Sequence, residues 1–297
     1  MKQQLKALID LLRLHFFFAW PLLFCAGLFI GCANYGGFSW ELVIKSIFIA
    51  FFGFEAGLIL NDYVDKDLDK QDVEEDLTRY WRLFHTRPIR SGLISPKQAL
   101  VLFFLFAGIT SILIFTLPYP HSIYLFLIML YSYTMEVFYQ LRKRNQRFPI
   151  AQLLGRTDFT LFPVAGYLVV GQPDLIAALL FLFFYPFAIA HLGTNDIVDH
   201  KNDKARKLKT VTVLYGIKGT VWWILLFTIL HFITATILLT TLPLLAWIGF
   251  IIGFFILLTA NILLQRQQTS RQGLKILPMF HITMLIYSLS LIISTVA

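Results

Sequence analysis

The chain has little cysteine and little charge. Cys25 and Cys32 are its only cysteines, and they lie seven residues apart inside one apolar stretch. Residues at this spacing share one face of a helix, so the two thiols are predicted to be packing residues and not a disulfide pair. Charged residues make up 14% of the 297 positions and hydrophobic residues 58%, with a mean hydropathy of +0.71. A soluble domain cannot bury so much apolar side chain, so the sequence predicts an integral membrane protein.

Apolar stretches of about 20 residues, the length of helix that crosses a bilayer, recur along the chain. They lack the alternation typical of barrel strands, and an open sheet cannot satisfy its backbone in lipid, so helices are expected. The N-terminal stretch has no clear small-residue cleavage site and is predicted to be a retained first span. The predicted fold is a single all-α polytopic domain over residues 1–297 with about nine spans, near 14–33, 40–60, 98–117, 121–139, 151–170, 175–195, 219–240, 244–264 and 276–296.

Basic residues are absent from one set of predicted loops. The segments 34–39, 118–120 and 241–243 contain no lysine or arginine, whereas 23 of the 25 basic residues fall at the opposite ends of the spans. The positive-inside rule therefore predicts a bacterial cytoplasmic membrane protein with its N-terminus inside and its C-terminus outside. The net charge of +8 then mostly reflects the orientation of the spans in the membrane, and it gives no reason to expect a nucleic-acid partner.

Two acidic segments repeat each other. Residues 61–70 read NDYVDKDLDK and residues 195–204 read NDIVDHKNDK, at an offset of 134. Six positions are identical in register, and the segments follow the second and sixth predicted spans, both at the predicted cytoplasmic end. The repeat indicates a pseudo-duplicated bundle that brings both segments to one central cavity.

Each segment carries carboxylates at i, i+3 and i+7, which would line one face if the helix continued through it. These residues are Asp62, Asp65, Asp69, Asp196, Asp199 and Asp203. Such carboxylates repel one another unless a cation lies among them, and oxygen ligands without histidine or cysteine favour Mg²⁺. Because Mg²⁺ completes its shell with water and phosphate, a phosphorylated substrate is expected. Solvated acidic loop ends are the alternative, but they give no reason for the repeated spacing.

The two segments resemble the NDxxDxxxD and DxxDxxxD motifs of the UbiA superfamily of intramembrane prenyltransferases. Three other segments are similar to further motifs of this family: Arg87–Ser95 to RPxxSGxIS, Tyr139–Lys143 to YxxxK, and Thr210–Gly216 to the stretch after the second acidic motif. The resemblance implies a helical bundle around a cavity in which Mg²⁺ bridges both motifs to a prenyl diphosphate. The prenyl group would pass to a lipophilic acceptor such as an aromatic acid, a quinone precursor or another isoprenoid.

The resemblance also implies roles for individual residues. The first candidates for metal ligation are Asp65, Asp69, Asp199 and Asp203, followed by Asn61, Asp62 and Asp196. The candidates for binding the diphosphate are Arg87, Arg90, Tyr139, Lys143 and Asn195, and the catalytic set comprises Asp65, Asp199, Lys143, Arg87 and Tyr139. Cationic groups would stabilise the charge that develops on the leaving diphosphate. Anchoring at the membrane surface is the alternative role for the basic side chains.

Several polar residues fall inside or beside predicted spans, where they usually face a cavity or a partner. They are Glu55, Glu136, Arg156, Asp158 and His191. The acids and the arginine are candidates for the acceptor pocket or for proton removal, but a buried pair such as Arg156 with Glu136 would serve structure equally well. His191 could face the cavity or be a packing residue. Separately, the spacing of Gly53 and Gly57 is typical of close helix packing.

The segment between Asp69 and Arg87 is longer than the link expected in the family. It is either an amphipathic lid over the cavity mouth or a solvated insertion. Two other functions also stay open. A related terpene cyclase would need no external acceptor, and a divalent-cation transporter would use the acids but gives no reason for Arg87 and Lys143 to accompany them.

Overall fold

The computed structural model describes residues 2–296, which form helices joined by short connections, with no strand in that range. The helices are α1 Lys2–Leu11, α2 Ala19–Tyr35, α3 Trp40–Asp65, α4 Asp76–Trp81, α5 Pro96–Phe115, α6 His121–Arg142, α7 Ile150–Gly155, α8 Thr157–Tyr167, α9 Leu175–Val198, α10 His200–Ala205, α11 Val211–Leu239, α12 Ala246–Arg266 and α13 Ser270–Val296. Short 3₁₀ turns precede α2 and follow α3. The all-α prediction is confirmed.

Eight helices in the described range are long and apolar enough to cross a bilayer: α2 with the turn before it, α3, α5, α6, α9, α11, α12 and α13. The protein is therefore an integral, multi-pass membrane protein. The remaining predicted span, 151–170, is divided at Arg156 into α7 and α8. Gly155 precedes the break, and a Cβ there would lie 2.8 Å from Cβ of Tyr139, so α7 approaches α6 closely. Hydropathy predicts the apolar stretch but not this break.

Polar caps set where several spans begin. Ser95 accepts a hydrogen bond from the Gln98 N–H (3.2 Å), and the Gln98 side chain accepts one from the Ser95 N–H (2.8 Å), which forms a capping box before α5. At the other end of the bundle, the Ser39 side chain accepts from the Leu42 N–H at the start of α3, and the Asp174 side chain accepts from the Ala177 N–H at the start of α9. These caps lie outside the apolar stretches and fix the ends of the spans.

The tightest helix contact is between α2 and α8. A Cβ on Gly27 would clash with the backbone oxygen of Pro163, and a Cβ on Gly166 would clash with that of Phe24. The missing side chains let the two backbones touch, as in other small-residue contacts in membranes. α2 also packs on α13 and α3, so it lies at the centre of the bundle.

Gly53 and Gly57 do not make a backbone contact of this kind. A Cβ on Gly53 would first meet the Thr110 side chain at 3.3 Å, and one on Gly57 would first meet the Tyr133 ring at 4.0 Å. Gly53 therefore allows α3 to approach the Thr110 side chain of α5 closely, and both glycines also line the central cavity.

The two acidic segments meet at one end of the bundle, as predicted. The helices do not continue through them, however: α3 ends at Asp65, and α9 ends at Val198 before α10 begins. The expectation of one continuous helical face per motif is therefore wrong. The turn after Asp65 reduces the repulsion between carboxylates that a continuous helix would hold on one face. It also places Asp69 beside basic side chains from other segments.

Candidate active site

A cavity of about 310 Å³ lies among α2, α3, α5, α6, α8 and α9. Its polar end is lined by both acidic segments. Its deep end is apolar, with Phe24, Ile49, Ile114 and Leu125 in the wall. Lining residues of α6 extend from Leu125 to Lys143, which is about 27 Å at the helical rise. The cavity therefore matches a long molecule with an anionic head and an apolar tail.

Most of the predicted site residues line the polar end: Asn61, Asp65, Arg87, Tyr139, Lys143, Asn195, Asp196, Asp199 and Asp203. Three predicted residues, Asp62, Asp69 and Arg90, are not part of the cavity wall. Each of these three lies behind the wall and is paired with charged neighbours.

Asp62 binds two guanidinium groups. One carboxylate oxygen accepts from Nη2 of Arg13 at 3.0 Å, and the other accepts from Nη2 of Arg82 at 2.6 Å. Asp62 and Arg82 are both buried. The carboxylate therefore holds two cationic side chains in the cavity wall. Sequence reasoning missed Arg82, whose only signal was its place in the aromatic and basic part of the long segment after Asp69.

Asp69 is also bonded to two arginines. Nη1 of Arg87 lies 2.5 Å from its Oδ1, and Nη2 of Arg206 lies 3.1 Å from the same atom. Arg206 additionally reaches Asp199, at 3.6 Å, so one guanidinium joins the two motifs. Burial lowers the pKa of Arg87, but Asp69 and Asp72 more than offset this effect and keep its pKa above the ordinary value. Sequence reasoning missed Arg206 because it looked like one more anchoring residue.

Arg90 lies at the edge of this arrangement. Its Nη1 is 3.0 Å from Glu75 and 3.5 Å from Asp72, so it binds acids of the segment between the first motif and α5. The structure thus places Arg87, but not Arg90, in the cavity wall.

Lys143 and Asp65 form a buried ion pair at the polar end, with 2.7 Å between Nζ and Oδ2. The Tyr139 ring lies below the ammonium group, with its centroid 4.9 Å from Nζ. Arg156 approaches the same ring at 5.7 Å. Cations over an aromatic face are stabilised electrostatically, and here they converge where an anion could be bound.

The start of α11 positions the second motif. The Val211 N–H donates to Asp196 at 3.1 Å, and the Thr210 hydroxyl donates to Asp203 at 2.7 Å. Burial, with the nearby carboxylates Asp199 and Asp196, raises the pKa of Asp203 well above its ordinary value. A bound cation would offset the repulsion between these carboxylates.

The oxygen atoms at the polar end fit a hard divalent ion. Among residues 2–296, Oδ1 of Asp65 and Oδ1 of Asn195 are buried without a hydrogen-bond partner, although Arg144 Nη2 lies 3.5 Å from the Asp65 oxygen. Asp199 and Asp203 line the same end of the cavity. Within residues 2–296, no three acidic, histidine or cysteine side chains come close enough to hold an ion alone. A site that needs substrate oxygens to complete it is the usual arrangement for Mg²⁺.

The sequence left two roles open for the polar residues of the spans. Glu136 accepts hydrogen bonds from Asn61 at 2.6 Å and from Gln140 at 2.5 Å. Within residues 2–296 these partners do not include Arg156, so the structural pair that was one alternative does not form. Glu136, Arg156, Asp158 and His191 all line the cavity. Glu55 is fully buried, and neither of its carboxylate oxygens has a hydrogen-bond partner within residues 2–296. The structure assigns Glu55 no role.

The segment between Asp69 and Arg87 covers part of the polar end. Leu77, Trp81 and Arg82 line the cavity from this segment. Asn202, in the second acidic segment, fastens it: its Oδ1 accepts from the N–H groups of Val73 (2.8 Å) and Glu74 (2.9 Å). We call residues 70–86 the cover segment. These contacts hold the segment against the polar end of the cavity, and its action as a lid stays a prediction.

Replacing Asn202 by alanine is expected to loosen the cover segment. The change removes both of these bonds, and because a net hydrogen bond contributes about 1 kcal/mol, the loss of two predicts roughly thirtyfold faster opening. The measurement is the rate of tryptic cleavage after Lys70 and Arg79 in detergent. Lys204→Ala, at an exposed position of the same segment, is the control. Equal cleavage rates in the two variants would show that Asn202 does not fasten the cover.

The fold and the site define a class of protein. The protein is a helical membrane bundle around a cavity. One end of the cavity is lined by acids and arginines, and the rest is long and apolar. This arrangement is that of an intramembrane enzyme that acts on an anionic lipid-like substrate. Residues 19–285 match the UbiA prenyltransferase family, and the chain belongs to this family. The family predicted from the motifs is thus confirmed, and the protein is a prenyltransferase.

Curated relatives of the chain include two kinds of enzyme. A 4-hydroxybenzoate octaprenyltransferase of Pseudoalteromonas atlantica is 27% identical over 77% of this chain and 74% of its own length. A digeranylgeranylglyceryl phosphate synthase of Thermococcus sibiricus is 28% identical over 67% of this chain and 63% of its own length. The two differ in acceptor, so these relatives do not determine the acceptor of this protein.

Solved structures share the fold. A UbiA homologue from Archaeoglobus fulgidus, bound to GPP and Mg²⁺, superposes with a TM-score of 0.71 at 16% identity, covering 97% of this chain and 99% of its own. The apo UbiA homologue from Aeropyrum pernix K1 gives a TM-score of 0.70 at 15% identity, covering 91% and 96%. The bundle described above is therefore the UbiA fold.

Proposed function

We propose that this protein transfers a prenyl group from a prenyl diphosphate, bound with Mg²⁺, to a lipophilic acceptor inside the membrane. One observation carries the proposal: acidic and basic side chains of both motifs meet at the polar end of a cavity whose depth is apolar. The GPP and Mg²⁺ bound by the A. fulgidus homologue support the same substrate class. An aromatic acid or an isoprenoid glyceryl phosphate is a reasonable acceptor, given the names of the relatives.

The basic side chains would bind the diphosphate. Lys143 and Arg87 lie beside Asp65 and Asp69, and both line the cavity, so each can reach a phosphate oxygen held at the polar end. Asp65, Asp199, Asp203 and Asn195 would hold the Mg²⁺. When bound, the ion stabilises the negative charge that develops on the leaving diphosphate. Asp62, Asp69 and Asp196 stay predicted ligands, and in this arrangement they also orient side chains and backbone around the site.

Aromatic residues would shield the allylic cation. Trp81, Phe54 and Phe162 line the cavity above the polar end, and Trp20 stacks on Phe54 with 3.9 Å between ring centroids. Their π faces stabilise positive charge without a nucleophilic atom that could capture it. They also exclude water, which would otherwise hydrolyse the cation.

Lys143→Met is expected to lower kcat/KM for the prenyl diphosphate about a hundredfold, because the ammonium group stabilises charge that develops in the transition state. Steady-state diphosphate release measures the effect. Arg142→Met is the matched control, since Arg142 is the exposed neighbour that serves only as a positive-inside anchor. If kcat/KM fell equally in both variants, Lys143 would serve as an anchor at the membrane surface and not as a ligand of the diphosphate.

The proposed function is tested with purified protein, Mg²⁺, prenyl diphosphates of increasing length and a panel of acceptors that includes 4-hydroxybenzoate. Mass spectrometry detects the prenylated product, and a coupled assay detects diphosphate. A cyclised product without an acceptor would instead identify a terpene cyclase. Divalent-cation flux into proteoliposomes without diphosphate release would identify a transporter.

We also propose that the polar end faces the cytoplasm, with the N-terminus on the same side. The basic residues cluster at this end, and α13 extends from it to the opposite end of the bundle. Single cysteines introduced at Lys209 and Leu244 should react with an impermeant maleimide from opposite sides of sealed vesicles. Labelling of both from one side would contradict the topology.

A further inference from the structure

One acid of the cover segment is buried between arginines of two other segments. The side chain of Asp72 has no exposed surface. Its Oδ1 accepts from Nε of Arg206 at 2.5 Å, and Nη2 of Arg206 lies beside the same oxygen. Its Oδ2 lies 3.4 Å from Nε of Arg87 and 3.5 Å from Nη1 of Arg90. Asp72 therefore joins the cover segment to the segment before α5 and to the segment between α10 and α11.

Two of these guanidinium groups are held by the edge that is nearest the chain. Arg206 is held through Nε and Nη2, and its Nη1 lies 3.6 Å from Asp199. Arg87 is held through Nε, which also donates to the Thr78 hydroxyl of the cover segment at 2.9 Å. Its Nη1 contacts Asp69. Both arginines line the cavity, so the cover segment fixes their inner nitrogens and leaves outer nitrogens at the acidic motifs.

The other acids beside Arg206 have a different predicted role. Among the residues that the structure describes, three carboxylates lie within 4 Å of this guanidinium, and two of them, Asp69 and Asp199, are predicted ligands of Mg²⁺. Asp72 is the third, and it belongs to neither motif. It is therefore the carboxylate that can hold the guanidinium groups whether or not the motif acids bind an ion.

We propose that Asp72 is a positioning residue for the prenyl donor, because it holds Arg87 and Arg206 with their outer nitrogens available to the diphosphate. The inference rests on the proposed function, which assigns a prenyl diphosphate to this end of the cavity. A guanidinium group can bind phosphate through two parallel hydrogen bonds, and one that is already in place loses less freedom on binding. Asp72 thus increases the affinity for the donor without touching it.

A rival effect of the same carboxylate has the opposite sign. Asp72 lowers the positive potential of the arginines, so its removal would strengthen binding of an anionic donor if net charge alone governed the affinity. If position governs the affinity, removal weakens binding. Asparagine distinguishes the two effects, because it keeps the size of the side chain but presents an NH₂ group, which is a donor, to one of the two arginines. That guanidinium must then turn away.

The test measures the dissociation constants of geranyl S-thiolodiphosphate and its longer prenyl homologues, with saturating Mg²⁺, for the parent and Asp72→Asn in detergent. Sulfur replaces the bridging oxygen in these probes, so they bind but are poor donors. Tryptophan fluorescence follows binding, because Trp20 and Trp81 line the cavity. Asp72→Asn is expected to weaken binding at least about tenfold, the loss typical of a hydrogen bond to a charged group. A smaller folded fraction would lower the amplitude but not change the dissociation constant.

Asp76→Asn is the matched control. Asp76 lies four residues later in the same cover segment, and it is exposed. The substitution removes the same charge from the surface of this segment, where water screens it. This variant should bind the probes as tightly as the parent does.

A cycle of single and double variants tests whether Asp72 acts through Arg206. Arg206→Gln removes the guanidinium group that Asp72 binds through two nitrogens. If Asp72 acts by positioning this group, its loss matters less once the group is gone, so the double variant should lose less affinity than the product of the two single losses. Losses that simply multiply would show that Asp72 acts independently of Arg206, and they would overturn the inference.

The outcomes separate this inference from the proposed function. If the parent binds the probes and Asp72→Asn binds them equally or more tightly, the inference fails and the proposed function is unaffected. The same holds if Asp76→Asn loses as much affinity as Asp72→Asn, because the effect is then one of surface charge. If the parent binds none of the probes and releases no diphosphate from the corresponding donors, the proposed function fails, and the inference fails with it.

Discussion

Asp65→Asn and Asp199→Asn are each expected to lower the rate of prenyl transfer at least about a hundredfold, the loss typical when one group that stabilises developing charge is removed. Both residues line the polar end, from different motifs, and Oδ1 of Asp65 is buried with no hydrogen-bond donor in the described part of the chain. Asparagine preserves the shape of the side chain but removes its charge. The measurement is kcat for diphosphate release together with the Mg²⁺ concentration that gives half of the maximal rate.

The first motif contains its own control for this experiment. Asp67 lies between Asp65 and Asp69 in sequence, but its side chain is 71% exposed and its partners are Lys70 and Lys66. An exposed pair of this kind contributes little, so Asp67→Asn should retain nearly full activity. If Asp65→Asn and Asp199→Asn turned over as fast as Asp67→Asn, the proposed metal site would be wrong.

Gly166→Val is expected to have the largest effect on stability. A Cβ at Gly166 would clash with the backbone oxygen of Phe24, and backbone atoms cannot yield as a side chain can. Overpacking of this kind costs about 3 kcal/mol or more, so we expect a thermal midpoint lower by roughly 10 °C or no folded protein. Because α2 and α8 both line the cavity, activity should fall with stability. Differential scanning fluorimetry in detergent measures the effect.

Gly108→Val is the corresponding control. Gly108 lies in the middle of α5. Apart from its own helical backbone and its adjacent residues, no atom of residues 2–296 lies within 4 Å of a Cβ built there. Valine at this position should leave the thermal midpoint almost unchanged. Equal losses at Gly166 and Gly108 would mean that glycine is needed for the helices themselves and not for the contact between α2 and α8.

Much of the fold could be predicted from the sequence because a bilayer restricts the choice. Span length, charge asymmetry and the repeat between residues 61–70 and 195–204 gave the helical class and brought both motifs to one end. The break at Arg156 could not be predicted in this way, since hydropathy is averaged over a window longer than α7 or α8. The contact between Gly27 and Pro163 was likewise invisible, because it depends on which helices are neighbours.

The candidate site was predicted in its composition but not in its pairing. Asp65, Lys143 and Asp199 were expected at the cavity and lie there. Arg206 was missed because its partner Asp69 is far away in sequence, and a count of charges cannot distinguish a buried ion pair from an anchor at the membrane surface. Arg82 was missed for the same reason. The contacts of His281 with His191 and with Tyr80 join three separate helices, so no local pattern could have indicated them.

Under the proposed function, the depth of the cavity limits the length of the donor tail that can be bound. The polar end fixes the head of the substrate, and Ile114 and Leu125, 1% and 2% exposed, line the far end. A tail too short leaves apolar surface unfilled, and a tail too long must push these side chains aside or turn out into the lipid. The residues at the distal end would then select among isoprenoids of different length. They lie about 27 Å along α6 from the groups that perform the chemistry.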